Sequence, residues 1–248
     1  MRRKNAWTTY NKKQLDELEK LCKNYLKFLD KGKTERECVK QIVKQAEEKG
    51  YVNLADITKD KGALKAGDKV YSVCMDKTVA LFQIGKKKLE KGMNILGAHI
   101  DSPRMDVKQN PLYENEEFAY LDTHYYGGIK KYQWVTLPLA LHGVVVKKDG
   151  TVIPVNVGED KNDPVFCVTD LLIHLAGEQM EKKANKVIEG ENLDVLVGSK
   201  PLEGKEKDAV KEGILEILKN KYDMTEEDFM SAEIEVVPAG HAREAGLD

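Results

Sequence analysis

The stretch that most constrains this chain runs Met93-Asn94-Ile95-Leu96-Gly97-Ala98-His99-Ile100-Asp101-Ser102-Pro103. An apolar run leads into Gly-Ala-His-Ile-Asp, and Pro103, which has no N–H to donate, closes any strand there. The pattern predicts a buried strand of an α/β sheet that delivers polar residues at its carboxyl end, a common place for sites on open sheets. Residues i and i+2 of a strand face one side, so His99 and Asp101 are expected to point together. Imidazole is a good zinc ligand once its tautomer and ring angle are set, and a carboxylate on the other ring nitrogen sets both. One reading is therefore half of a metal site; the other is a strand-end histidine capped at the surface by a neighbouring acid.

With 248 residues, the chain can bury a substantial core in one large domain or two modest ones. Lys plus Arg (40) nearly balances Asp plus Glu (42), for a net charge of −2. That balance gives no general pull toward nucleic acid or membrane. Lys86-Lys87-Lys88 and Lys130-Lys131 read as solvated turns. Cys22, Cys38, Cys74 and Cys167 are scattered with no C-x-x-C pair, which points to reduced, buried thiols rather than a disulfide frame. No apolar stretch approaches the roughly 20 residues that span a bilayer. The basic start, Met1-Arg2-Arg3-Lys4, has no apolar signal core behind it, and the expectation is a cytoplasmic protein.

Residues 11–29 carry Leu15, Leu18, Cys22, Tyr25, Leu26 and Leu29 at helical spacing. Thr34-Glu35-Arg36-Glu37 is a capping box opening a second helix, which buries Cys38, Ile42, Val43 and Ala46 and stops at Gly50. Lys69–Cys74 and Thr78–Ile84 form a hairpin turning at Asp76-Lys77. Asn110-Pro111 through Glu117 reads as a polar crossing and a domain boundary. Short β runs follow at Tyr132–Val135, Leu137–Val146 and Thr151–Val157, the last two joined by Lys148-Asp149-Gly150. A helix is expected from Thr169 through Met180, a long mobile loop over 189–204, and a helix over Lys205–Lys221. Thr225-Glu226-Glu227-Asp228 opens a short helical turn before a strand at Ala232–Ala239. His142 and His174 read as satisfied, partly buried histidines within a strand and a helix, and His241 lies in a flexible tail.

Gly97-Ala98-His99-Ile100-Asp101-Ser102-Pro103-Arg104 resembles the first metal-ligand motif of the aspartyl aminopeptidase and aminopeptidase I family of metallopeptidases. The likeness continues through Met105-Asp106-Val107-Lys108, into His124-Tyr125-Tyr126-Gly127-Gly128-Ile129, and again at Ala232–Ala239. It implies an α/β fold: part of a mixed-sheet zinc-peptidase catalytic domain with an inserted β-rich interface domain. The corresponding division is 1–106, then 107–231 for the oligomerisation insert, then 232–248 returning to the catalytic domain.

The resemblance also implies a pair of zinc ions, a peptide substrate and a homo-oligomer. Residue by residue it carries over His99 as metal ligand and Asp101 as the catalytic, orienting acid. By resemblance the glycine-rich start of the insert, His124 with Gly127 and Gly128, approaches the substrate. Gly-Gly lets backbone come close to a ligand and His124 could donate to an oxyanion; the alternative is a Tyr/Gly turn with a surface histidine. The family's bridging aspartate, Glu-Glu pair, further aspartate and last histidine fall beyond Gly246-Leu247-Asp248. The chain looks like roughly the first half of a full-length member. A zinc aminopeptidase whose remaining ligands lie elsewhere is thus one expectation, with this chain inactive alone. A non-catalytic assembly or regulatory half-subunit is another, and an α/β binding module with an accidental His-x-Asp is the third.

Overall fold

The computed structural model describes residues 3–59 and 62–247; Asp248 and the Met1-Arg2 start lie outside them. The chain divides into two compact units, Met1–Asp101 with His241–Asp248, and Ser102–Gly240.

In the first unit, α1 (Lys12–Lys31) is opened by Asn11 and Gln14, and α2 (Glu35–Glu48) by Thr34 and Glu37, each a reciprocal capping box that satisfies orphan N–H groups. Cys38, Val39 and Ala46 of α2 are buried, and Gly50, at φ +82°, takes the left-handed conformation past the helix end. A short strand β1 (Val52–Asn53) leads into α3 (Leu54–Lys59), and then β2 (Lys69–Cys74) and β3 (Thr78–Gln83) form a hairpin. Its three-residue turn, Met75 to Lys77 between the paired Cys74 and Thr78, contains the expected Asp76-Lys77, and Met75 and Asp76 both take positive φ. β1 pairs β2 in parallel and β2 pairs β3 antiparallel, so the sheet is mixed. Arg36 Nη1 donates to the Met75 carbonyl (3.3 Å) and Tyr71 to Glu47 (2.7 Å), fastening α2 to the hairpin.

Three expectations fail in this unit. No residue of α1 is buried; Leu21, Tyr25 and Leu29 are exposed. Cys22 and Cys74 are exposed as well, so only Cys38 is a buried thiol. The segment 93–101 belongs to no strand, with Met93, Ile95 and Leu96 in solvent. An apolar run becomes a strand only when a neighbouring strand takes its N–H and C=O groups, and no strand pairs with this segment among the described residues.

The second unit is a seven-stranded antiparallel sheet. Its strands are β4 (Arg104–Asn115), β5 (Phe118–Tyr126), β6 (Leu139–Val146), β7 (Val152–Val157), β8 (Cys167–Val168), β9 (Val195–Gly198) and β10 (Ala232–Pro238). Their spatial order is β7-β6-β10-β4-β5-β9-β8. Short α4 (Gly177–Met180) precedes β9, and α5 (Ala209–Tyr222) follows it. The Glu114 carboxylate on β4 accepts the Val210 and Lys211 N–H groups at 2.8 and 2.9 Å, so a strand side chain caps α5. Met105, Leu139, Val145, Leu193, Val195, Val210 and Val236 sit in the core.

The division expected at 106/107 and 231/232 does not match these units. Asn110-Pro111 lies inside β4, where a bulge between Val107 and Leu112 admits a proline. Glu116 and Glu117, both at positive φ, make the tight β4–β5 turn. β10 lies between β6 and β4, in register from Ala232↔Val145 to Pro238↔Leu139, rather than in a sheet of the first unit. Its run Ile234-Glu235-Val236-Val237 is buried, which suits a central strand covered on both faces.

The loop expected over 189–204 contains β9, with Leu193 and Val195 fully buried. Its glycines mark close packing: a Cβ on Gly190 would meet the Tyr125 ring at 2.8 Å, and one on Gly198 would meet Ile214 at 2.6 Å. The helix expected over Thr169–Met180 shrinks to α4. Leu171, Leu172, Ile173 and Leu175 are exposed, and a short amphipathic segment without a covered face lacks the packing that holds a helix. Tyr132–Val135 is a 3-10 turn over Lys131–Gln133 with a single bridge at Val135, not a strand.

Candidate functional site

The sequence-predicted residues fall into two groups, one in each unit. In the first, His99 Nδ1 lies 3.0 Å from the Asp101 carbonyl oxygen and 3.5 Å from its Oδ1. A carbonyl only accepts, so the neutral ring carries its proton on Nδ1 and its lone pair on Nε2. The His99 side chain is 85% exposed. His99 and Asp101 thus lie together although the segment forms no strand.

His99 fits one ligand position of a zinc ion. Among the described residues no three His, Cys, Asp or Glu side chains are grouped to hold a metal, and zinc sites use three or four protein ligands. The described residues therefore do not by themselves complete a zinc centre.

In the second unit His124 is near the end of β5, exposed, its ring stacked on Tyr125 with centroids 5.5 Å apart. Tyr125 in turn packs over Gly190 and lies under Lys131 Nζ, 5.7 Å from the ring centre. Gly127 turns the chain at φ +75°, close against Pro103, and a side chain on Gly128 would meet open space. Both glycines are exposed, so this turn presents backbone to its surroundings.

The other histidines separate. His142 is buried, and its Nε2 lies 3.0 Å from Glu159 Oε1, which bears out its reading as a satisfied core histidine. His174 is exposed and outside any helix, contrary to expectation. His241 Nδ1 lies 3.4 Å from Asp30 Oδ2.

A polar row unremarked in the sequence crosses the second unit's sheet. His124 opposes Asp106, Asp106 opposes Glu235, Glu235 opposes His142, and His142 opposes Asn156. Directly opposed residues share a face, so the row lies on one side of five strands. Arg104, buried, adds a charge: its Nε lies 2.8 Å from Asp106 Oδ1 and 3.3 Å from Glu235 Oε2. Glu159, beyond His142, accepts the Gly240 N–H at 3.1 Å. The available signal was Glu235 itself, a charge embedded in the apolar run Ile234-Glu235-Val236-Val237, together with the i, i+2 pair Arg104 and Asp106.

The model of the family "Aminopeptidase I zinc metalloprotease (M18)" matches residues 28–248. A "Probable M18 family aminopeptidase 1" of Clostridium acetobutylicum is 60% identical over 246 residues, covering 99% of this chain and 53% of that protein. One from Thermotoga maritima is 46% identical over 248 residues, with 100% and 53% covered. The crystal structure of the Thermotoga maritima M18 aminopeptidase superposes with a TM-score of 0.92 at 46% identity, covering 100% of this chain and 53% of that one. That of aminopeptidase I from Clostridium acetobutylicum gives 0.87 at 58% identity, covering 99% and 54%. The chain therefore spans about half the length of the relatives it matches. Its mixed α/β fold is that of these crystal structures, and it belongs to the aminopeptidase I zinc metalloprotease family, M18.

Proposed function

We propose that this chain is the N-terminal portion of a zinc-dependent aminopeptidase that removes residues from the N-termini of peptides. The observation that carries the reading is the His99–Asp101 geometry, with Nδ1 held and Nε2 exposed, in a chain of this family. His99 Nε2 binds one zinc ion and Asp101 sets the ring. Bound zinc in such a site polarises a scissile carbonyl and acidifies its water, two ions roughly 3.5–4 Å apart being the usual arrangement for aminopeptidases. Gly127 and Gly128 give backbone to the peptide, and His124 supplies a polar side chain beside them. The working enzyme is a cytoplasmic homo-oligomer. Its remaining zinc ligands and its water-activating carboxylate are supplied from outside these 248 residues.

A second reading is a non-catalytic assembly half-subunit. It is favoured by the lack of any three-ligand cluster among the described residues. One experiment separates the two. The chain is co-expressed with the part of the Clostridium acetobutylicum relative that it does not cover, and zinc content and hydrolysis of aminoacyl substrates are measured. Stoichiometric zinc and turnover only when both parts are present support the peptidase. A stable complex without either supports the assembly role.

A further inference from the structure

Arg104 opens β4 and Tyr126 closes β5, and the two are cross-strand partners. The guanidinium carbon lies 4.3 Å from the Tyr126 ring centre, a cation–π stack. Through its Nε the same group meets Asp106 at 2.8 Å and Glu235 at 3.3 Å. Arg104 is only 5% exposed. A buried guanidinium is costly to desolvate, and offsetting that cost takes close ionic partners; here two carboxylates from two strands do so. Immediately beyond Tyr126 the ladder ends, and the chain enters Gly127-Gly128, whose backbone has the most conformational freedom of any dipeptide. Pro103, the residue before Arg104, lies 3.6 Å from where a Gly127 Cβ would be.

We propose that Arg104 is a positioning residue for the Tyr126-Gly127-Gly128 turn. Asp106 and Glu235 hold its guanidinium, the guanidinium holds the Tyr126 ring, and the ring fixes the point from which the two glycines depart. The planar, delocalised cation is required: it stacks and ion-pairs at once, whereas a lysine ammonium is a compact point charge on a flexible stem. The functional consequence rests on the reading of Gly127-Gly128 as substrate-facing backbone. Arg104 then makes no contact with peptide and acts by reducing the freedom those glycines would lose on binding.

The test uses the 248-residue chain and three variants, Arg104→Lys, Tyr126→Leu and Tyr126→Phe. The readout is the backbone order parameter of Gly127 and Gly128 from 15N relaxation. Values near about 0.85 are expected in the wild type and in Tyr126→Phe, which keeps the ring, falling below about 0.6 in the other two. Amides of β6 and β7 should be unchanged in all. Tyr126 is 40% exposed, so Tyr126→Leu probes the stack without unpairing the buried Glu235, should Arg104→Lys not fold. Unchanged glycine order parameters in Tyr126→Leu, or a wild-type turn already below about 0.6, overturn the proposal. In the complemented, two-part protein the same two variants should raise KM about 10-fold with kcat within about 2-fold, the pattern of lost ground-state binding. A fall in kcat at unchanged KM also overturns it. A complemented protein that cleaves nothing sinks the peptidase reading, while the order parameters still decide what Arg104 does.

Discussion

His99 Nδ1 lies closer to the main-chain oxygen of Asp101, at 3.0 Å, than to its carboxylate, at 3.5 Å. The ring is thus oriented chiefly by a group that no substitution of Asp101 removes. In the complemented protein His99→Ala should abolish one zinc position. Asp101→Asn should weaken zinc by about 10-fold, the lower end of the roughly 10–100-fold range for partners of metal-bound histidines. Metal analysis after dialysis checks both, and full zinc occupancy in His99→Ala would remove this residue from the site.

The chain by itself should hold zinc poorly. Binding energies of about 10–16 kcal/mol in zinc-finger peptides need a full ligand set, and His99 is 85% exposed with no three-ligand cluster among the described residues. After dialysis the purified chain should retain well under one equivalent of zinc and cleave no aminoacyl substrate. Tight zinc in the chain alone would move the site elsewhere, with His124 and His241 the first residues to replace.

Leu171, Leu172, Ile173 and Leu175 are 55%, 71%, 67% and 70% exposed. Contiguous exposed apolar groups of this kind promote association. Leu172→Lys combined with Leu175→Lys should leave stability within about 0.5 kcal/mol, as for ordinary surface changes, and should lower self-association in sedimentation velocity. Unfolding of the double variant, or undiminished association, would contradict this.

Tyr113 donates to Asp194 Oδ2 at 2.6 Å across the β4–β9 side of the second unit. Burial first, then the Asp194 hydrogen bond and charge, push the Tyr113 phenol well above its usual range. A group whose folded pKa is raised adds stability below its unfolded pKa and loses it as pH rises through the folded value. For tyrosine the loss begins near pH ~10. Asp194 is raised too, by burial against the opposing Tyr113 hydrogen bond, so its contribution is present below about pH 3.9 and is already lost once pH exceeds its raised value. Tyr113→Phe should cost about 1–3 kcal/mol at pH 7 by removing the hydroxyl that donates to Asp194 Oδ2. It should also flatten the loss of stability above pH ~10, both read from urea unfolding at pH 7 and pH ~10.5. An unaltered alkaline slope would show that Tyr113 does not carry it.

Much of this fold was legible in short-range patterns. The Thr34 capping box, the left-handed Gly50 and the Lys148-Asp149-Gly150 turn depend on residues within a few positions of each other. The same holds for the approach of His99 to Asp101 and for the family motif around them. What misled were segments whose state depends on distant partners. An apolar run at 93–101 reads as a strand, and leucines over 171–175 read as a helix face, but periodicity carries no information about whether a neighbour is present to pair or cover them.

Residue type and spacing alone determined the helices α1 and α2, the β2–β3 and β6–β7 hairpins, the candidate ligand His99 and the family, because caps, tight turns and motifs are local chemistry. Only the tertiary structure placed β10 between β6 and β4, and with it Glu235 beside Arg104 and Asp106. That cluster joins positions 104, 106, 126 and 235, and it exists only because strand register aligns them. Register is a property of the assembled sheet: each strand's alternation says which residues share a face, and pairing alone decides which residues meet.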